Sequence, residues 1–278
     1  MRLVRFEAEG ATRVGALRDG AIDELSATWT AVLEQFAGGV RAHPATTGRT
    51  WDAGECVLRA PLADRPRPVY CMGLNYLAHD TEAGQSLGVS RPAKPVVFVK
   101  QFEAIADPGE PLALDGQLSD QFDWEVELAV VIGRPGRGIE PRHVRDHVAG
   151  YTVLNDITAR DLQRDHVQWF IGKNIDRSTP VGPWVTTADE IAYPPDLPLS
   201  LSVNGVEKQR ARTSELIFDI DTIISTVSRY VELHIGDVFA TGTPAGVGFT
   251  RNPPEFLHSG DLMVAEIERV GRLESRVT

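Results

Sequence analysis

Three carboxylates at the ends of two apolar runs are the residues whose types and spacing could do chemistry in this sequence. Glu125 and Glu127 flank the start of the run ELAVVIG, and Asp156 closes a second run, GYTVLND. Alternate side chains of a strand point to one face, so Glu125 and Glu127 are expected to lie together. Two adjacent carboxylates repel each other unless a cation lies between them. Since no His or Cys stands beside them, the set predicts a hard-cation site, for Mg²⁺ or Mn²⁺ first and Ca²⁺ next.

His79, Glu82 and Lys173 are further candidates for catalysis, and for each a structural role on the surface is the alternative. His79 and Glu82 are three apart, which suits a general-base pair for water but is also typical of a surface contact. Lys173 follows the aromatic pair Trp169-Phe170, where apolar surroundings can lower the pKa of a lysine, although many such lysines only extend along the surface.

Arg160 and Gln163 are also three apart and would share one face of a helix. A guanidinium there could bind a substrate carboxylate. An ion pair with Asp161 or Asp165 is an equally good interpretation of the same spacing. The small-residue run at 240–248 does not have the pattern of a nucleotide-binding P-loop.

The elements that must position these residues are mostly short strands. Apolar runs predict strands at 95–100, 127–133, 150–154, 199–204 and 237–241, and helical patterns cover 27–36, 159–170 and 213–232. Strands outnumber helices and do not alternate with them, which favours a mixed or rolled β architecture over a doubly wound sheet. Asp19-Gly20 and Asn204-Gly205 indicate hairpin turns. Prolines beside Arg65 and Arg67 predict a boundary between a small N-terminal α+β domain at 1–65 and a second domain at 66–278.

Composition excludes several classes of protein. The chain has 278 residues, 42% of them apolar, and a net charge of −11, so it is expected to fold and to repel nucleic acid. We expect no membrane association, because no apolar stretch approaches the roughly 20 residues that span a bilayer. Two cysteines are too few for a disulfide framework, and the start lacks the apolar core of a secretory signal, so a cytoplasmic location is expected.

Six segments in order give the chain a resemblance to the fumarylacetoacetate hydrolase superfamily. They are CMGLNYLAHDTEAG (71–84), KPVVFVK (94–100), DWEVELAVVIG (123–133), GYTVLNDITARDLQ (150–163), WFIGKNIDRSTPVGPW (169–184) and GDVFATGTPAGVG (236–248). The resemblance covers about 69 to 248 and implies a mixed β-sandwich roll that forms a homodimer with one divalent metal ion per subunit. The first 65 residues resemble the small N-terminal domain of longer bacterial members.

The resemblance also assigns roles to residues. It places the metal ligands on Glu125, Glu127 and Asp156, the water-activating pair on His79 and Glu82, and the active-site lysine on Lys173. The residues that it places at the substrate are Tyr76, Arg160, Gln163 and Thr243. Two positions depart from the family pattern, because Asn174 replaces the usual Ser and Arg177 replaces a small residue or Thr. An arginine that faced the pocket would change the substrate range.

The function implied is metal-dependent hydrolysis of a C–C bond in a small oxo-acid. In the superfamily an enolate held by the metal is the shared intermediate, and a 2,4-dioxo acid such as an acylpyruvate or a fumarylacetoacetate-like compound is the expected substrate. A segment at 81–95 with two glycines is expected to act as a lid. An oxaloacetate-type decarboxylase or a 2-hydroxy-dienoate isomerase is the alternative within the fold. A non-catalytic Ca²⁺-binding module is the alternative from another class, and it leaves His79, Glu82 and Lys173 without a task.

Overall fold

The computed structural model describes residues 1–62, 67–77 and 93–278, and strands predominate among them. The strands are β1 (Arg2–Ala8), β2 (Ala11–Arg18), β3 (Ala21–Leu25), β4 (Thr46–Asp52), β5 (Val57–Arg59), β6 (Val69–Gly73), β7 (Val96–Lys100), β8 (Ile105–Ala106), β9 (Phe122–Asp123), β10 (Val126–Ile132), β11 (Val148–Asn155), β12 (Thr158–Ala159), β13 (Thr179–Thr187), β14 (Pro198–Val203), β15 (Val206–Arg212), β16 (Val238–Ala240), β17 (Leu262–Ile267) and β18 (Gly271–Arg276). The helices are α1 (Trp29–Gln35), α2 (Arg160–Asp165), α3 (Phe170–Lys173) and α4 (Ile220–Ser228). Short 3₁₀ segments cover Ala37–Gly39, Ala53–Glu55, Phe102–Ala104, Pro141–His147, Ala188–Glu190, Thr213–Glu215 and Gly248–Thr250.

One large mixed sheet organises the molecule and confirms the expected fold class. Its strand order is β4-β3-β2-β1-β13-β11-β10-β16-β6-β7, with β5 on β1 and β8 on β13. Strand β10 lies between β11 and β16 and pairs with both in antiparallel fashion, so the first predicted metal ligands lie inside the sheet. A second sheet has the order β15-β14-β17-β18.

Both faces of β10 are covered, which explains its continuous apolar run. Leu128 and Val130 pack in the core cluster that includes Ile223 of α4. Ala129 and Val131 face the opposite way, into a cluster that contains Trp29 and Leu33 of α1. A carboxylate placed in this strand is therefore taken out of water.

The sheet crosses the predicted domain boundary. Strand β1 pairs with β13 through Arg2↔Thr186 and Leu3↔Val185, so the N-terminal strands continue the sheet that holds the site. The division into 1–65 and 66–278 stays a prediction. No helix among the described residues is long and apolar enough to cross a membrane.

The predicted hairpin turn at Asn204-Gly205 is confirmed, whereas the predicted helix boundaries are wrong. Asn204 and Gly205 have φ of 51° and 76°, the left-handed pair that a two-residue hairpin requires. Of the helix expected over 159–170 only 160–165 is helical, as α2, and the separate helix α3 begins at Phe170. The helix expected over 213–232 is confined to 220–228. Helix α2 begins at Arg160, four residues after Asp156.

Candidate active site

Three buried carboxylates meet where β10 begins and β11 ends. The register pairs Val126 with Asn155, and the Asp156 N–H donates to the Glu125 carbonyl at 2.8 Å. Glu125, Glu127 and Asp156 each offer an oxygen, and these oxygens lie within 4.8 Å of one another. All three side chains are buried. The predicted metal ligands are therefore together, in the hydrophobic part of the sheet.

Two lysine ammonium groups bind the same aspartate from opposite sides. Lys173 Nζ donates to Asp156 Oδ2 at 2.8 Å and to Glu125 Oε2 at 2.9 Å. Lys100 Nζ donates to Asp156 Oδ1 and to the Ile157 carbonyl. Burial alone would lower the pKa of Lys173, but Asp156 and Glu125 outweigh it and hold that pKa above its ordinary value. Burial lowers the pKa of Lys100, and Asp156 opposes this only in part.

Lys100 is a site residue that the sequence reasoning missed. It is 0% exposed and ends the apolar strand β7, which lies across β6 and β16 from β10. A lysine that closes an apolar run was the available signal, because its ammonium group must find a partner wherever that run is buried.

Glu127 differs from the other two carboxylates in its surroundings. Its Oε2 accepts the Gly242 N–H at 2.7 Å, and no Lys or Arg of the described ranges forms an ion pair with it. Burial, then the neighbouring charges of Asp156 and Glu125, raise the pKa of Glu127 well above its ordinary value.

The charges of the cluster favour a bound cation. Within the described residues, four buried carboxylates, those of Asp123, Glu125, Glu127 and Asp156, face three buried cations, those of Lys100, Arg160 and Lys173. With all four carboxylates ionised these groups carry one negative charge in excess, a state that burial disfavours at Glu127 unless a cation binds. The all-oxygen donor set fits a hard divalent cation.

Arg160 is held rigidly beside this cluster. Its Nε donates to Asp123 Oδ2 at 2.8 Å, its NH2 lies 2.7 Å from Glu125 Oε1, and its NH1 donates to Gln163 Oε1 at 3.0 Å. The predicted shared face of Arg160 and Gln163 is confirmed. Within the described residues its ion pairs are with Asp123 and Glu125, and the alternative pairing with Asp161 or Asp165 is wrong.

Asp123 has an organising role that spacing did not reveal. Its oxygens accept the N–H groups of Gly248 at 2.7 Å and Phe249 at 3.1 Å, in addition to Arg160. The buried carboxylate of Asp123, in strand β9 just before Glu125, is therefore bonded both to α2 and to the backbone at Gly248 and Phe249. Phe249 in turn lies under the Arg160 guanidinium, 4.3 Å from ring centroid to carbon.

Thr243 lies on the wall of the site, but its hydroxyl is used by the backbone. Its Oγ1 donates to the Val126 carbonyl at 3.0 Å and accepts from Gln209 Nε2 at 2.8 Å. Gln209 Oε1 accepts the Val126 N–H at 3.0 Å. These bonds hold the backbone of Val126, the residue between Glu125 and Glu127. Thr243 therefore positions these two candidate metal ligands as well as lining the cleft.

Two glycines permit this packing. A Cβ at Gly172 would lie 2.6 Å from the Gln163 nitrogen and 2.8 Å from the Ala159 carbonyl oxygen. Helix α3 can therefore approach α2 closely enough for Lys173 to reach the carboxylates only with glycine there. Gly242 has φ of +101°, a conformation that aims its N–H at Glu127.

A cleft with an aromatic wall opens onto the cluster. Phe98 and Trp169 pack edge to face with ring centroids 5.5 Å apart, and Lys173 Nζ lies 5.0 Å from the Phe98 centroid. The residues that line the cleft are Met72, Gly73, Leu74, Phe98, Glu125, Arg160, Gln163, Trp169, Lys173, Thr243 and Phe249. Predicted substrate-binding residues Arg160, Gln163 and Thr243 are among them.

Tyr76 is close to the cluster and does not line the cleft. Its side chain is 1% exposed, and its hydroxyl has no hydrogen-bond partner among the described residues. Burial, with the nearby Glu127 charge, raises the pKa of its hydroxyl. A contact between Tyr76 and substrate stays a prediction. His79, Glu82 and residues 81–92 of the proposed lid lie outside the described residues.

Arg177, one of the two departures from the family pattern, is directed away from the cleft. Its guanidinium bonds to Glu110 and Asp107, and its N–H donates to the Glu103 carbonyl at 3.0 Å. The charge of Arg177 is therefore paired with Glu110 and Asp107, and Arg177 is not among the described residues that line the cleft.

Comparison with known families agrees with this geometry. The family described as fumarylacetoacetate (FAA) hydrolase, C-terminal, matches residues 68–278. The chain belongs to the fumarylacetoacetate hydrolase family. A separate family, described as Rv2993c-like, N-terminal, matches residues 1–61.

Similar proteins in this family carry several activities in their names. The oxaloacetate tautomerase YisK of Bacillus subtilis is 39% identical over 227 residues, covering 82% of this chain and 75% of YisK. The structure of 5-carboxymethyl-2-hydroxymuconate delta-isomerase from Mycobacterium smegmatis matches with a TM-score of 0.83 and 33% identity, over 100% of this chain and 99% of the other. That of a fumarylacetoacetate hydrolase from Exiguobacterium antarcticum matches with 0.81 and 36%, over the same shares.

Proposed function

We propose that this chain is a divalent-metal-dependent tautomerase that interconverts the enol and keto forms of a 2-oxo dicarboxylic acid, with oxaloacetate as the first candidate. The observation that carries the proposal is the buried triad of Glu125, Glu127 and Asp156 with the Lys173 ammonium bridging two of its members. The name of the YisK relative supports oxaloacetate as the substrate. This choice favours the isomerase alternative over the hydrolase that the resemblance first implied.

The triad would hold the metal, for which Mg²⁺ and Mn²⁺ are the candidates. When bound, such an ion supplies Lewis-acid polarisation of the 2-oxo group. Tautomerisation breaks the O–H bond of the enol and forms a C–H bond at carbon 3, so the substrate keeps all its atoms and no water is consumed. The protein has only to stabilise negative charge on one oxygen while a proton changes place.

Lys173 is the residue best placed to stabilise that charge. Its ammonium group lines the cleft and is kept charged by Asp156 and Glu125. A positioned cation in a site of low dielectric stabilises a developing oxyanion strongly. Arg160 adds a second charge on the same wall, oriented by Asp123, toward which a substrate carboxylate can be drawn.

The aromatic wall suits a reaction without water. Phe98, Trp169 and Phe249 present apolar rings on the side of the cleft next to Lys173 and Arg160. Apolar walls exclude solvent and strengthen the electrostatic interactions inside the cleft.

The test follows the disappearance of enol oxaloacetate by its ultraviolet absorbance, with Mg²⁺ or with chelator. We expect the wild type with Mg²⁺ to accelerate ketonisation well beyond Mg²⁺ alone, and Glu127→Gln to lose most of that acceleration. Glu24→Gln is the matched control, because Glu24 is also a buried glutamate but pairs with Arg13 in the N-terminal strands. A wild type no faster than Mg²⁺ alone would refute the proposal.

Hydrolysis of a C–C bond is the second candidate, supported by the similarity to the Exiguobacterium hydrolase. It requires water activation, the role proposed for His79 and Glu82. Measuring pyruvate release from an acylpyruvate and from oxaloacetate, in the same preparation, distinguishes C–C hydrolysis, decarboxylation and tautomerisation. Release from the acylpyruvate indicates the hydrolase, release from oxaloacetate indicates the decarboxylase, and neither accompanies pure tautomerisation.

We propose in addition that the chain forms a homodimer. Among the described residues β7 is the last strand of the large sheet, and Val97, Phe170 and Ile171 expose apolar surface on or beside it. Light scattering after size exclusion tests the dimer, and a monomeric mass would contradict it. The cytoplasmic location expected from the sequence stays a prediction.

A further inference from the structure

Asn174, the second departure from the family pattern, joins the two segments that carry the active-site lysines. Its Nδ2 donates to the Phe170 carbonyl of α3 at 3.0 Å and to the Val99 carbonyl of β7 at 3.0 Å. Its Oδ1 accepts the Gln101 N–H. All three side-chain hydrogen-bonding groups of Asn174 are therefore attached to backbone.

The backbone groups that bind the Asn174 side chain lie next to the two active-site lysines in the chain. Val99 and Gln101 are the neighbours of Lys100 in the chain, and Phe170 begins the single helical turn that ends at Lys173. Lys100 and Lys173 then reach opposite oxygens of Asp156. Asn174 is not among the described residues that line the cleft, and the described partners of its side chain are all backbone groups.

We infer that Asn174 is a positioning residue, which sets the distance between the Lys100 and Lys173 backbones so that both ammonium groups meet Asp156. Helix α3 has only four residues, too few to be stable without tertiary contacts. The side-chain amide supplies two of those contacts across to β7. A serine here has one hydroxyl, which can replace one donor and the acceptor but not both donors.

The kinetic test rests on the proposed tautomerase activity. Displacing a charged group by about 1 Å can cost on the order of 10²-fold in rate, so Asn174→Ala is expected to lower kcat by between about tenfold and 10²-fold. Asn174→Ser should be intermediate. Asn174→Asp should be no better than Ala, because it keeps the shape and the Gln101 bond but places a carboxylate against two carbonyl oxygens.

Asn204→Ala is the matched control. Asn204 also makes two side-chain bonds between chain segments, to Asp261 at 2.7 Å and from the Leu262 N–H at 3.0 Å, and its positive φ adds strain to an alanine. We expect this variant to lower Tm at least as much as Asn174→Ala while it retains wild-type kcat. An equal loss of kcat in both variants, or no loss in Asn174→Ala, overturns the inference.

Hydrogen–deuterium exchange decides the same question without activity. In Asn174→Ala we expect faster exchange in peptides over 96–101 and 169–174 only, and in Asn204→Ala no change there. Unchanged exchange in both segments overturns the inference, whatever the kinetics. A wild type inactive on oxaloacetate refutes the proposed function, and the exchange result still decides the role of Asn174.

Discussion

Replacing Lys100 with Met tests whether the buried ammonium groups balance the charge of the carboxylate cluster. Met has a similar length and fits the apolar surroundings of β7, so the substitution removes charge with little change in volume. It leaves Asp156 Oδ1 and the Ile157 carbonyl without the donor that they share. With all four carboxylates ionised, it also raises the negative excess among the described charged groups from one to two.

The magnitude follows from the burial of the pair. Lys100 and Asp156 are both 0% exposed, and removing one member of a buried ion pair costs about 3–5 kcal/mol. Lys173 still binds the other oxygen of Asp156, and the variant no longer has to bury the Lys100 charge. We therefore expect the lower end, a loss of about 3 kcal/mol in the free energy of unfolding.

The assay is equilibrium urea unfolding near neutral pH, with chelator and again with Mg²⁺ in excess. The difference from wild type should be largest with chelator and should narrow with Mg²⁺, because a bound cation replaces the lost positive charge. Lys208→Met is the control, since Lys208 is 13% exposed but its partner Glu255 is 40% exposed, so solvent screens this pair and its loss should cost less than loss of the fully buried one. A loss in Lys100→Met no larger than in the control, or a difference that Mg²⁺ leaves unchanged, would refute the reasoning.

Three further predictions address the packing around the site. Gly172→Ala should displace α3 and lower kcat by more than about tenfold, at a cost of about 1–3 kcal/mol in stability, whereas Gly116→Ala, which has open space around it, should change neither; equal kinetics in the two variants would contradict this. Arg177→Ala should leave kcat and KM within about twofold of wild type, because its guanidinium faces Asp107 and Glu110; a changed KM would show that it reaches the substrate. Asp107 has a lowered pKa, since the Ala60 N–H and Arg59 outweigh the effect of burial. Its folded state holds fewer protons than its unfolded state, so its stabilisation is present above the unfolded value of about 4 and is lost as pH falls below it; the stability difference between wild type and Asp107→Asn should shrink between neutral pH and about pH 3, and a constant difference would argue against the assignment.

Much of the site could be predicted from sequence because its key signals are local. Glu125 and Glu127 share a face through the period of an extended backbone, and Arg160 and Gln163 meet through the period of a helix. The hairpin at Asn204-Gly205 was predictable for the same reason, since left-handed backbone favours those residue types. In each case the covalent chain itself brings the interacting groups together.

The helix boundaries were less predictable. The pattern over 159–170 predicts one helix, but α2 ends at Asp165 and α3 begins only at Phe170. The break lets Gly172 pack against the backbone of α2 and turns Lys173 toward the carboxylates. Helix boundaries are therefore set here by tertiary packing, which sequence periodicity does not report.

The sequence by itself determined which residues could bind a hard cation, because residue type and local period depend only on the chain. Only the tertiary structure decided what surrounds them. Lys100 reaches Asp156 across 56 positions of sequence, through the strand order β7, β6, β16, β10 and β11. Asn174 and Arg177 lie only three residues apart in the sequence. The Asn174 side chain nevertheless bonds to the strand that carries Lys100, whereas the Arg177 side chain bonds to Glu110. Pairing across a sheet depends on register and strand order, and these arise from burial of the apolar surface of the whole chain. The spacing between two residues in the sequence therefore does not predict such a contact.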